Sequence, residues 1–288
     1  MYLGEVLKRI RRNRGFTQIS VSKNIISQGS YSKFEAGLNN LETDVYIKIL
    51  NNLNIDFEEV IFIRNSYNYE AKQLIIKQFF TLNYNNIEKL EEMSIAIAKF
   101  LKKKQDLDIE EIQIVCNAFL QLHLTRDIEL TKRIIQPIWN RISKYEQWYL
   151  NDIRMINTIL FLFPVNVATE FTQSVLTRLN KYKDFREAEL LKTSFAINLS
   201  LLLIKEGNYV KALEIIEGSL EKYKKKMNYT ILALYFSRKA ICSFHLGKED
   251  SIIFLEKAKN LTLLYEDAEY WERIRKEYNY YTSVVKFE

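Results

Sequence analysis

Across its 288 residues this chain contains only two prolines and seven glycines. Strands need frequent turn residues to fold back on themselves, so such sparse punctuation leaves few places to build a sheet. Long uninterrupted periodic stretches suit helices instead. An all-α fold follows, and an all-β one is excluded. The length exceeds what one small domain needs, so two domains are expected. Hydrophobic residues at 48% and aromatics at 13% supply core material well beyond what a disordered chain carries.

The net charge of +6 matters less than its placement. Residues 1–37 hold seven Lys and Arg against Glu5 and Glu35, while the other 251 residues balance 35 basic against 34 acidic side chains. That local surplus suits a polyanion. A merely solvated basic face would look the same, so charge alone does not decide. Cys116 and Cys242 stand apart from each other and from any His cluster, which argues against a disulfide framework or a metal site and for core thiols in a reducing compartment. The N-terminal ten residues are too charged for a signal peptide. The strongest apolar run, 156–167, is broken by Asn and Pro. A cytoplasmic protein with no membrane association is expected.

Within the first 65 residues, Leu3, Val6, Leu7 and Ile10 recur at helical spacing, with Lys8, Arg9, Arg11, Arg12 and Arg14 on other faces. Gly15 stops this helix, and Thr17 can cap a short second one. Ser27 can cap a third running to about Ala36, before Gly37 ends it. Tyr46, Ile49, Leu50 and Leu53 mark a fourth helix, and Phe57, Val60 and Ile61 a fifth. The string from Gly15 to Gly37 resembles the phage-repressor-type helix-turn-helix, in which Thr-Gln opens helix two and Glu-x-Gly closes helix three. Thr17-Gln18 and Glu35-Ala36-Gly37 occupy those places, and Val21, Ile26, Tyr31 and Phe34 fall where the motif wants its core. The resemblance also pairs an Arg seven residues before the Gln of helix two with the Glu closing helix three. Arg11 and Glu35 are in that register, and a bidentate pair would lock helix one onto helix three.

The resemblance implies a five-helix DNA-binding domain over 1–65, with helix three in the major groove, where each base pair shows a distinct donor and acceptor pattern. Gln28, Gly29, Ser32 and Lys33 then face outward. Gln28 can grip adenine, and Lys33 can reach guanine or a phosphate. Gly29 departs from the many relatives with a side chain there, which shifts weight onto phosphates and DNA shape. Gln18 at the start of helix two suits a phosphate, and Arg12, Arg14, Asn39 and Asn40 are further phosphate candidates.

Residues 66–288 read as successive helices at 70–82, 86–103, 108–122, 127–141, 145–163, 166–181, 184–206, 209–225, 229–246, 248–264 and 268–284. Short loops between them imply antiparallel pairs. The segment Gly207-Asn208-Tyr209-Val210-Lys211-Ala212-Leu213 resembles the tetratricopeptide turn, and Gly247 repeats it forty residues on, with Ile252 and Ile253 matched to Ala212 and Leu213. A tetratricopeptide-like array, which would curve and present a concave inner face, is expected. A repressor-type headpiece on such an array resembles the Rgg/GadR/MutR group of Gram-positive regulators, within the wider peptide-pheromone regulator family. That resemblance implies a homodimer joined largely through the helical domain, controlling transcription in response to a short signalling peptide. Some relatives tie their headpieces by a disulfide from the loop after helix three. The stretch 41–45 carries no cysteine, so that device is absent.

The residues themselves offer a peptide site. Asn can both donate to and accept from an extended backbone. Asn198 lies nine residues before Gly207, and Arg238 nine before Gly247, where it can hold a carboxylate. Asn151, Arg154 and Asn157 form a polar stripe at spacings of three, and Tyr235, one turn from Arg238, can pack on an apolar side chain. The Asn and Arg residues among them would equally serve as interhelical hydrogen bonders. No phosphate-binding glycine loop, HExxH or GxSxG occurs, so no enzyme and no cofactor is expected. His123 and His245 stand alone. A DNA-tethered protein-docking scaffold without a peptide ligand is the alternative function.

Overall fold

The computed structural model describes residues 2–82, 84, 86–182, 185 and 188–283. Among these there is no strand, and the chain is all-α as its punctuation requires. Residues 1–120 and 121–288 form two compact units, dividing inside a helix.

The first unit opens with α1 (Leu3–Asn13), α2 (Gln18–Ser22), α3 (Gln28–Glu35), α4 (Thr43–Leu53) and α5 (Phe57–Arg64). Local chemistry sets their ends. Thr17 and Ser27 adopt extended backbone, and their side chains accept from the amides of Ser20 and Ser30. Gly37, at φ +72°, ends the α3 segment with a left-handed turn. Val6, Leu7, Val21, Tyr31, Ile49, Leu53 and Val60 are essentially sealed from solvent and form one core, with Ile26 half-buried at its margin. At roughly 1.5–3 kcal/mol for each large side chain fully buried, this core alone can hold five short helices together. Gly4 explains how α1 reaches α3: a Cβ there would stand 1.9 Å from the Phe34 carbonyl oxygen. Three more helices follow, α6 (Ala71–Thr81) and the longer α7 (Ile87–Leu101) and α8 (Leu107–Thr125). Lys72 of α6 bridges Asp106 and Asp108 at 2.9 and 2.7 Å.

The second unit contains α9 (Ile128–Ile142), α10 (Leu150–Ile159), α11 (Val165–Leu179), α12 (Ala188–Lys205), α13 (Tyr209–Tyr223), α14 (Tyr229–His245), α15 (Ser251–Leu264) and α16 (Ala268–Thr282). They form helix pairs. Successive first helices α10, α12, α14 and α16 pack on one another, while α11, α13 and α15 pack against them from the other layer. Gly207, at φ +75°, makes the tight turn into α13, and Asn208 caps it. Ala212 is fully buried, so the backbones can approach.

Two expectations are corrected here. The helix anticipated over 145–163 starts only at Leu150 and ends in a 3-10 turn, Leu160–Leu162. Trp148 is the reason: it is buried, and its indole N–H donates 2.9 Å to the Ile142 carbonyl, closing α9 with a turn. The second tetratricopeptide-like turn is also out of register. Ile252 and Ile253 are 58% and 53% exposed, unlike Ala212 and Leu213, and the small buried residue is Ser251, whose hydroxyl donates to Ala240 at 2.8 Å. The expected helix limits at Asp184 and Val284 lie outside the described residues. Among those described, no helix is long and apolar enough to cross a membrane.

Candidate functional site

On α3, Tyr31 and Phe34 point into the core, leaving Gln28, Gly29 and Lys33 exposed and Ser32 half-buried. A Cβ at Gly29 would meet nothing within 4 Å, so packing does not demand the glycine. It leaves a bare patch of backbone between Gln28 and Lys33. Beneath this surface lies a hydrogen-bonded relay. Arg11 donates from Nε and Nη2 to the two Glu35 oxygens at 2.6 and 2.7 Å, and from Nη1 to the Phe16 carbonyl at 2.8 Å. Gln18 donates to Glu35 at 2.8 Å and accepts from Gln28 at 2.6 Å. Burial alone would push the Glu35 carboxyl up, but the bonds from Arg11 and Gln18 outweigh it and hold the group below its ordinary value. The exposed Gln28 amide is thus aimed by a chain that ends at a sealed ion pair.

The other headpiece candidates are placed as follows. Arg12 and Asn40 are exposed, and the half-buried Asn39 donates weakly to the Ser30 carbonyl at 3.4 Å. Arg14, expected among the phosphate ligands, is instead held by the carbonyls of Leu53 and Asn54, the latter at 3.0 Å. Those carbonyls form the negative end of α4, which attracts a cation. Gln18, also expected on a phosphate, has both its amide groups engaged in the relay.

In the second unit, the polar candidates fall into a ladder. Asn157 of α10, Asn198 of α12, Arg238 of α14 and Glu277 of α16 follow one another at spacings of 41, 40 and 39 residues. Asn198 donates to the Asn157 side-chain oxygen at 3.1 Å. Arg238 donates to the Ile197 carbonyl at 2.6 Å and to Glu277 at 2.8 and 3.3 Å. Both asparagines are half-buried. Arg154, also half-buried, donates to the exposed Asn151 at 3.3 Å, so this stripe sits beside the ladder. Tyr235, expected to pack on a ligand, is fully enclosed. Its hydroxyl donates to the Thr193 carbonyl at 2.8 Å, and burial raises its phenol strongly. Arg238 already holds a carboxylate from its own chain, so a ligand carboxylate would have to displace Glu277.

Residues 96–257, more than half of the chain, match the family described as HTH-type transcriptional regulator Rgg, C-terminal domain, and residues 7–60 match the helix-turn-helix family. The chain belongs to the Rgg family of transcriptional regulators. Solved structures share its fold at low identity. The Streptococcus dysgalactiae SHP pheromone receptor Rgg2 is 14% identical, with TM-score 0.71 over 96% of this chain and 99% of its own. Bacillus thuringiensis PlcR, solved with the peptide PapR7 and DNA, is 18% identical, with TM-score 0.67 over 94% and 98%. A Listeria monocytogenes EGD-e protein gives TM-score 0.74 at 17% identity over 96% and 97%.

Two features of this Rgg-family chain escaped sequence reasoning. Glu277 completes the ladder, and its signal was the period near forty residues. The count from turn glycines could not reach it, because no glycine follows α16. The relay through Gln18 carried no sequence signal, since it depends on two side chains bending toward Glu35. Cys116 and Cys242 are buried, and burial pushes both thiols up to about 12, which leaves them inert. His245, exposed at the end of α14, stacks on Tyr209 at 4.0 Å with its Nε2 2.6 Å from the Tyr281 carbonyl.

Proposed function

We propose that this Rgg-family regulator acts in the cytoplasm as a homodimer that reads an operator through α3 and is controlled by a short signalling peptide laid along the ladder face. The observation that carries the reading is the Asn157–Asn198 amide pair. Half-buried side-chain amides on adjacent first helices bond each other at 3.1 Å and keep further donor and acceptor capacity that an extended backbone can use. PlcR, which shares the fold, was solved with a peptide and DNA bound, which supports the same use here. Gln28 is the residue assigned to base readout, with Ser32 and Lys33 beside it and Arg12, Asn39 and Asn40 toward the phosphates. Tyr235 acts from within the packing rather than on the ligand.

Asn198→Ala would leave bound peptide groups unpaired and weaken peptide binding by about 1–3 kcal/mol. Operator binding without peptide should persist, because the headpiece is separate in sequence. Calorimetry with a candidate peptide and gel shifts without one test the two halves independently. Normal peptide binding by the mutant removes the site assignment.

A second reading rests on α15, where Ile252, Ile253 and Leu264 are more than half exposed. That apolar surface fits a second copy of the chain or, in a docking scaffold, another protein. Mass measurement of the purified regulator separates them: a stable twofold mass supports the homodimer, and a monomer that captures no peptide favours the scaffold.

A further inference from the structure

Two of the buried cations in this chain grip carboxylates: Arg11 holds Glu35 and Arg238 holds Glu277. Lys192 of α12 departs from that pattern. It is 5% exposed, yet its ammonium meets neutral groups, the Asn180 side-chain oxygen at 2.8 Å and the Tyr223 ring at 5.9 Å. Among the described residues no carboxylate forms an ion pair with it. A buried charge without a counter-charge is costly. Asn180 and Tyr223 stand at the C-terminal ends of α11 and α13, whose partial negative charge softens that cost without supplying a full unit.

Lys192 lines a groove between α11 and α13 with α12 as its floor, about 520 Å³ in volume. Small-molecule sites run roughly 300–1,000 Å³. Lys211 and Lys222 are exposed at the rim, and Glu214 is the one carboxylate among the described lining residues, which leaves these with a surplus of two positive charges. The buried hydroxyl residues Thr172 and Ser219 line it as well. On α12, Lys192, Ala196 and Leu199 share this face at spacings of four and three, while Asn198 lies on a different one. The groove is therefore separate from the ladder and independent of the peptide reading.

We propose that this groove binds a small phosphate monoester, with the phosphoryl group on Lys192. A monoester carries a charge of about −1.5 to −2 near neutral pH, which matches the surplus. Lys192 supplies the desolvated cation, Lys211 and Lys222 close over the phosphoryl oxygens, and the neutral remainder of the ligand lies along Ala196 and Leu199.

The test titrates the full chain with inorganic phosphate and with glycerol 3-phosphate, at constant ionic strength against chloride and citrate. Thermal midpoint and calorimetry are the two readouts. Both phosphates should raise the midpoint more than chloride or citrate does. Lys192→Met keeps most of the unbranched stem without the charge and should weaken glycerol 3-phosphate roughly tenfold, the scale of one lost charge-assisted hydrogen bond. Lys222→Gln, on the exposed rim, should weaken it about two- to fivefold, and Glu214→Gln should strengthen it by a similar factor. If Lys192→Met does not fold, these two rim variants still decide the matter by their opposite signs. The proposal is overturned if phosphates act no more strongly than chloride, or if citrate binds as well as glycerol 3-phosphate. Unchanged affinity in a folded Lys192→Met, or rim variants without opposite effects, would overturn it equally.

Discussion

The headpiece and the helical array each carry one buried arginine forked onto a glutamate, and the two forks differ in what encloses the carboxylate. Around Arg11–Glu35 the side chains are 9% and 1% exposed, and Gln18 adds a third bond to the acid. Around Arg238–Glu277 the arginine is equally deep at 5%, but the glutamate is 25% exposed and comes from α16, the last helix described. Identical chemistry thus sits in a closed setting and a half-open one. A closed fork can only hold two helices together, because releasing either partner strands a charge. A half-open fork can exchange its carboxylate, since water reaches one side of the bond.

Arg11→Ala tests the closed case and should have the largest effect. It leaves Glu35 buried with only Gln18 for company, and the headpiece should lose about 3–5 kcal/mol, read as a lower denaturant midpoint for the unfolding of residues 1–65 within the full chain. The same pair fixes a pH limb. The folded Glu35 carboxyl lies below its ordinary value of 4.5, so the stabilisation is complete above that pH and is lost as pH falls through the lower folded value. Arg11→Ala should flatten this acid limb, and a limb that survives would assign it to another group.

Arg238→Ala tests the open case. Glu277 can rehydrate, so the loss should be smaller, about 1.5–3 kcal/mol, the scale of hydrogen bonds to a charged group. If it equals or exceeds the loss from Arg11→Ala, the contrast between closed and open forks fails.

Smaller effects are expected at the surface that the closed fork aims. Gln28→Ala should cost about 1–3 kcal/mol on operators carrying the base it reads and little on random DNA. Equal losses on both would show that Gln28 does not read a base. Arg12→Ala should weaken binding to every sequence alike and reduce the salt dependence by about one unit, measured as the slope of log affinity against log salt.

Most of the headpiece was legible in the sequence because its code is local. Thr17 and Ser27 cap helices by bonding amides three residues away, and the turns at Gly37 and Gly207 depend on backbone angles at one position. Helical periodicity identified Tyr31 and Phe34 as core. In the array, counting back from Gly207 and Gly247 brought Asn198 and Arg238 into one register, and the helices were read with two corrections: Trp148 delays the start of α10, and Ser251 rather than Ile252 is the buried small residue of the second turn.

The amino-acid sequence by itself determined that this protein is all-α, where most of its helices begin and turn, and that its positive charge gathers in the first 37 residues. Those properties follow from interactions a few residues apart. Tertiary structure alone decided that Arg14 is drawn to the end of α4, that Tyr235 is sealed inside, that Arg238 finds Glu277, and that Lys192 is buried with no carboxylate partner among the described residues. The first three of those contacts join groups 39 or more residues apart, and all four are set by which helix faces meet when apolar surface is buried. A side chain's partner in such a fold is chosen by the packing of whole helices, which its immediate neighbours in sequence do not encode.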